Sequence, residues 1–200
     1  MHIHLFRHGQ TDWNAERRIQ GQSESRLTDL GVQQAQALGQ RIQQLLFDQV
    51  FCSSSLRTRQ TAAHAFAQAP HPITYLDTLR EIDLGPWEGR LYAEIEVEQP
   101  DSYRHFWEQP HLFDVAGAET FAQLQQRAID AVALIKSELN AGHVAIVSHG
   151  ALIKALLCHF ENKPLSELWA PPSMHNCAHS IIQLHDDGTA RIIQNADQVL

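Results

Sequence analysis

The chain is short of cysteine, of positive charge and of long apolar runs. Its three cysteines, Cys52, Cys158 and Cys177, form no CxxC spacing. An odd, scattered set argues against a disulfide framework and against a thiolate zinc site. Lysine and arginine number 15 against 23 aspartates and glutamates, giving a formal charge of −8. That balance argues against broad electrostatic binding to nucleic acid or acidic lipid and leaves room for a local basic pocket. No apolar run approaches the ~20 residues a membrane helix needs. The opening MHIHLFRHG carries no basic stretch followed by an apolar core, so no secretory leader is expected. The expectations are a cytoplasmic location, no nucleic-acid partner and no membrane partner.

What is present is an ordinary globular composition, 44% hydrophobic and 19% charged over 200 residues. A chain of this length buries roughly two-thirds or more of its unfolded surface and needs no metal or disulfide to fold. No repeat, low-complexity tract or long linker divides it, so a single domain over residues 1–200 is expected. Short apolar runs alternate with helical periodicity. HIHLF (2–6), QVFC (49–52), ITYL (73–76) and HVAIVS (143–148) read as strands, the last nearly continuous, as in a strand covered on both faces. Thr28–Leu46, Leu56–Ala67 (ending before Pro70 and Pro72), Phe121–Ile135 (stopping near Asn140 and Gly142) and Leu152–Phe160 read as helices. Ser180–Leu184 and Ala190–Ile193 flank DDG, a hairpin signal. The alternation predicts an α/β three-layer sandwich with a mostly parallel central sheet flanked by helices. Residues 83–117, rich in Gly, Pro and aromatic rings, are expected as a cap-like insertion; most of its rings read as core, with Trp87 and Tyr92 the first candidates to shape a substrate pocket.

Two strand ends carry chemistry. Arg7, His8 and Gly9 follow the first strand, and His149 and Gly150 follow the 143–148 strand. Ligands of open α/β sheets collect beyond the carboxyl ends of the strands, so both histidines belong at one edge. Each glycine lets backbone approach a ligand, and Gly150 opens a helix whose free N–H groups favour an anion. One His-Gly pair among 13 histidines signifies little; two at strand ends, one beside an arginine, signify more.

LFRHGQTDWN (5–14) resembles the RHG signature of the histidine phosphatases, the phosphoglycerate-mutase-like superfamily. The resemblance continues in family order through IQGQSESRLTDLGVQQAQALG (19–39), SSSLRTRQTA (53–62), REIDLGPWEG (80–89) and VSHG (147–150). It implies His8 as nucleophile forming a phosphohistidine, Arg7 and Arg57 as phosphate clamps, His149 as a second donor, and Glu81 as acid and base. Thr11, Asn14, Gln20, Gly21 and Gly150 are the implied substrate-binding positions. Planar guanidinium forks suit phosphate, and phosphoryl transfer asks chiefly for positioning and charge neutralisation. Positive neighbours also keep an imidazole neutral and therefore nucleophilic. The short stretch between Glu81 and His149 resembles the phosphatase branch of the family more than its mutases, implying hydrolysis of small phosphomonoesters.

The chain departs from the family pattern at Glu24-Ser25-Arg26-Leu27 and at Ala151. Arg59 is the alternative to Arg57 as clamp. Phosphoglycerate mutase and a non-catalytic phospho-ligand binding module are the competing functions. A metal hydrolase is disfavoured: His2 and His4 share a strand face and His175 and His179 are candidates to share a helix face, yet no HExxH or tight His/Asp cluster appears. No metal and no cofactor is expected; the partner is a small phosphorylated metabolite, the chain a monomer or homodimer.

Overall fold

Alternation along the central strands decides the layering. In a computed structural model of the chain, which describes residues 1–68, 72–139 and 142–200, strand β1 (His2–Arg7) sends Ile3 and Leu5 into one core and Phe6 into another. Helix α1 (Asp12–Ala15) and helix α2 (Asp29–Ile42) follow, then β2 (Gln49–Ser53), α3 (Leu56–Ala65) and β3 (Thr74–Leu76). The middle of the chain holds α4 (Tyr92–Glu98) and α5 (Pro100–Glu108). After it come α6 (Phe121–Glu138), β4 (His143–Ser148), α7 (Gly150–Phe160), β5 (His179–Leu184), β6 (Ala190–Asn195) and β7 (Gln198–Val199). On β4, Val144 and Ile146 join the Ile3 side while Ala145 and Val147 join the Phe6 side. Helices α6 and α7 cover the first face through Leu124, Val132, Ile135 and Leu152; α2 and α3 cover the second through Ala35, Leu38, Ile42 and Ala62. The result is the expected three-layer α/β sandwich.

The sheet order is β3-β2-β4-β1-β5-β6-β7. Strands β3, β2, β4 and β1 run parallel; β5 pairs with β1 antiparallel, and β6 and β7 continue antiparallel. The sheet is therefore mixed, its parallel part lying where α-helical crossovers cover both faces. Leu5↔Ile146 and Phe6↔Val147 pair in register, so the ends of β1 and β4 leave the sheet side by side.

Helix α2 stops at Ile42 instead of reaching Leu46. The Leu45 N–H closes a tight turn on the Ile42 carbonyl at 2.8 Å, and Leu46 is exposed. Apolar spacing alone did not mark this stop, because Leu45 continues the pattern without a core to face. Pro70 and Asn140, expected near helix ends, lie outside the described residues.

The clustered histidines have a structural explanation. His4 is buried, its Nε2 3.0 Å from Nδ1 of His143 and its Nδ1 2.9 Å from Nε2 of His179. His2 stacks on His143. His175 and His179 share no helix: His179 is on β5, while His175 sits in the preceding loop 3.0 Å from Asp197. Among the described residues no group of three His, Cys, Asp or Glu is arranged to hold a metal ion. Burial first, then the facing His143 and His2, brings His4 down to about 4. Burial, then His4 and Arg41, brings His179 down to about 3. Both start from 6.5 in the unfolded chain, which thus binds more protons than the folded one once the pH falls below 6.5. Stability present above that pH drains away as the pH drops toward about 4. Urea midpoints measured across this window should fall steadily, and His4→Phe should flatten the slope; a flat wild-type profile contradicts the assignment.

Candidate active site

His8 leaves β1 buried, with Nδ1 2.7 Å from the carbonyl of Gly9. A carbonyl only accepts, so Nδ1 carries the proton and Nε2 keeps its lone pair. His149 is the N-cap residue of α7, and its ring lies edge-on to that of His8, centroids 5.4 Å apart. Its Nε2 is 2.8 Å from the Ser53 hydroxyl at the end of β2, while its Nδ1 is buried without a partner. If Ser53 donates to Nε2, the proton sits on Nδ1, the atom with nothing yet to bond. The tops of β1, β2 and β4 thus each give one polar side chain to the same place.

Arg57 is almost wholly buried on α3. Its two terminal nitrogens donate to the carbonyls of Ser23 at 2.9 Å and Gly21 at 2.7 Å, leaving Nε buried and unpaired. Arg7 donates to the Met174 carbonyl and also keeps an unpaired Nε. Three more N–H donors therefore remain on Arg57 and four on Arg7. Burial, then Arg57 and Arg7, holds both His8 and His149 well below the usual imidazole range, so both rings are neutral. Buried guanidinium groups with unused donors form a site for an anion. Arg59 is not part of it: the side chain is exposed, lies over Tyr75 at 4.3 Å and donates to the Ser54 carbonyl.

Glu81 reaches the site by an anchored turn. The Ser148 hydroxyl donates to the Leu79 carbonyl at 2.8 Å, and Arg127 donates to the carbonyls of Thr78, Arg80 and Glu81 while paired with Glu119. The Glu81 carboxylate then accepts the Ala151 N–H at Oε2, and the Leu152 and Ile82 N–H groups at Oε1. The N-terminus of α7, expected to serve an outside anion, is occupied by the protein's own. Oε1 has two partners and Oε2 only one, so Oε2 is the oxygen with the freer lone pair. Glu81 is also not paired with Arg80, which donates to the Gln22 carbonyl and to Glu24.

The other expected positions mostly build the walls. Thr11 is fully buried, donates to Gln20 Oε1 at 2.9 Å and caps α1 by accepting the Asn14 N–H. Gln20 Oε1 also accepts from Ser25. Gly21 has φ +51, and a Cβ there would lie 2.1 Å from Glu88, whose carboxylate holds the Gln22 and Leu84 N–H groups. These residues shape the loop whose carbonyls hold Arg57. Gly9 is needed for helix packing, since a Cβ would lie 2.6 Å from the Gly31 carbonyl of α2. Gly150 leaves the edge of Arg7 uncovered, its missing Cβ position being 3.4 Å from Arg7 Nε. Asn14 sits differently: Oδ1 accepts from Thr11 N and from the Asn176 amide, which also donates to the His8 carbonyl.

Beyond Asn14 opens a cleft of about 300 Å³, lined by Trp13, Arg17 and Arg18 on one part of the chain and by Tyr92, Tyr103 and Trp107 on another. Tyr92 was expected beside a pocket and is. Trp87 is core, packed on Phe106 and Phe113 with its N–H on Gln99. Ser53, Ser148, Arg127, Glu119, Glu88 and Asn176 were not singled out from sequence. A serine closing an otherwise apolar strand, as Ser53 and Ser148 do, is the signal available for two of them.

Fold and site define an α/β protein with paired neutral histidines in a cationic, anion-accepting centre. The sequence profile of the histidine phosphatase superfamily (branch 1) matches residues 3–196, and the chain belongs to that superfamily. It is 32% identical over 188 residues to a probable phosphoglycerate mutase, GpmB, of Salmonella choleraesuis, covering 93% of this chain and 86% of that one. Among solved structures it resembles YhfR of Bacillus stearothermophilus, with TM-score 0.95, 38% identity and coverage of 98% and 96%. It also resembles a mycobacterial glucosyl-3-phosphoglycerate phosphatase, with TM-score 0.89, 26% identity and coverage of 100% and 99%.

Proposed function

We propose that the chain hydrolyses small phosphomonoesters through a phosphohistidine on His8, with neither metal nor other cofactor. The observation that carries this reading is the pair of buried neutral imidazoles set among guanidinium groups with unused donors. His8 Nε2 attacks phosphorus; the N–P bond forms as the ester P–O bond breaks. With the phosphate bound beside it, Glu81 takes up a proton at Oε2 and gives it to the departing oxygen. Water then loses a proton to the same atom, its oxygen bonds phosphorus, and the N–P bond breaks to restore His8. Arg7, Arg57 and His149 Nδ1 balance the phosphoryl oxygens throughout. Residues 83–117 act as a cap over the alcohol side: the Gly89 N–H and Arg90 carbonyl are tied to Ile19, and the Tyr92 N–H to the Arg17 carbonyl.

A mutase is the second reading, favoured by the name of the Salmonella relative. A mutase must keep water from its phosphohistidine, whereas a phosphatase admits it. Steady release of inorganic phosphate from sugar phosphates and phosphoglycerates in the presence of EDTA is the expected result. Interconversion of 2- and 3-phosphoglycerate faster than phosphate release establishes the mutase instead. Label on His8, trapped by denaturation in alkaline detergent, separates either enzyme from a binding module.

A further inference from the structure

Arg17 has φ +57, a left-handed conformation that L side chains adopt at a cost in backbone strain. Its backbone is held from both sides: the N–H donates to the Asn14 carbonyl at 3.2 Å, and its carbonyl accepts the Tyr92 N–H at 3.1 Å. Glycine is the residue that suits such a turn, yet arginine occupies it and lines the cleft. The neighbouring Arg18 is already committed, to Glu16 at 3.0 Å and the Gly89 carbonyl, over the Trp13 ring. Arg17 is exposed, and among the described residues its guanidinium has no acidic partner. The remaining walls are aromatic: Trp13, Tyr92, Tyr103 and Trp107.

The cleft adjoins the centre at Asn14, one of its lining residues, which connects through Asn176 to the His8 carbonyl. Tyr92, its N–H held by the Arg17 carbonyl, lines the cleft from the cap side. About 300 Å³ is the lower end of small-molecule sites, room for one substituted ring. Resting on the phosphatase reading above, we infer that this cleft receives the alcohol of the substrate and selects ring-bearing alcohols with a second negative charge, which Arg17 binds. The rings stack with the planar group, and the unpaired guanidinium meets a carboxylate at the far end.

Three phosphate esters test it: those of phenol, 4-hydroxybenzoate and 4-hydroxybenzamide. The amide and carboxylate match in shape, and the amide is the better leaving group, so chemistry alone favours it. The wild type should nonetheless prefer the carboxylate in kcat/KM by about fivefold, the size of a partly solvated ion pair. In Arg17→Gln that ratio should fall to about one or below, and in Arg17→Lys it should partly return. Added salt should also shrink the wild-type ratio. A wild-type ratio at or below one, or a ratio untouched by Arg17→Gln, overturns the assignment while leaving the phosphatase standing. Release of phosphate from none of the three esters, with sugar phosphates still hydrolysed, overturns the assignment alone; release from neither set removes the phosphatase reading, and this one with it.

Discussion

His8→Ala is expected to remove essentially all turnover, by about 10⁴-fold or more in kcat, because the group that forms the covalent bond is gone. No other side chain at the centre offers a substitute lone pair in the same place: His149 Nε2 is engaged with Ser53, and the arginines are cations. The same substitution orphans the Gly9 carbonyl, at a cost of roughly 1–3 kcal/mol if no water replaces the ring. A thermal melt therefore accompanies the assay, and His8→Asn serves as a second variant whose amide is able to keep the Gly9 contact. Both should lose acid-labile phosphate incorporation. Wild type, by contrast, should keep an unprotonated nucleophile well into the acid range. Burial, Arg57 and Arg7 lower the His8 affinity for protons, so its charging is displaced below pH 6.5 and does not limit activity there. Phosphoester cleavage by His8→Ala at the wild-type rate would falsify the mechanism.

Glu81→Gln should divide the two half-reactions. With an alkyl phosphate, whose alkoxide needs a proton to depart, kcat should fall by about 10²- to 10⁴-fold. With p-nitrophenyl phosphate the leaving group departs unaided, so formation of the phosphohistidine should proceed nearly as in wild type. Hydrolysis still needs a base to take the proton from water, and the intermediate should accumulate, visible as a burst of p-nitrophenol and as stable label on the protein. The rival explanation is that Glu81 only caps α7. The geometry gives it substance, since the carboxylate holds the Ala151 and Leu152 N–H groups. Losing that charge at a helix start costs typically ~0.3–1 kcal/mol, which lowers a melting temperature. It does not distinguish leaving groups. Equal losses for alkyl and aryl esters, with no burst, assign Glu81 to structure alone.

Much of this site was legible before any coordinates. His8 and His149 each follow an apolar strand and precede a glycine, and parallel strands present their carboxyl ends on one edge, so their meeting was foreseeable. Arg57 was legible within the SSSLRTRQTA block, and Thr61 of that block accepts the Gly9 N–H and donates to the Arg57 carbonyl. Glu81 was legible only as part of a recognisable block. Its nearest sequence neighbour of opposite charge, Arg80, points to Glu24 instead. Gly9 was marked as a close approach to a ligand and Gly21 as a substrate-binding position, and a side chain at either would meet the backbone of α2 or the carboxylate of Glu88. A missing Cβ announces that something comes near without saying what.

By itself the order of residues determined the strand and helix periods, hence the α/β layers and the edge at which chemistry collects. Those properties depend on neighbours a few positions apart, where side-chain direction follows from the backbone repeat. Only the tertiary structure decided which carboxylate lies at the start of α7, which carbonyls orient Arg57, and that Arg17 stands in an aromatic cleft without an acidic partner among the described residues while Arg18 has one. Each of these is a contest among several chemically similar groups for one partner. It is settled by distances between segments far apart in the chain, which no local pattern encodes.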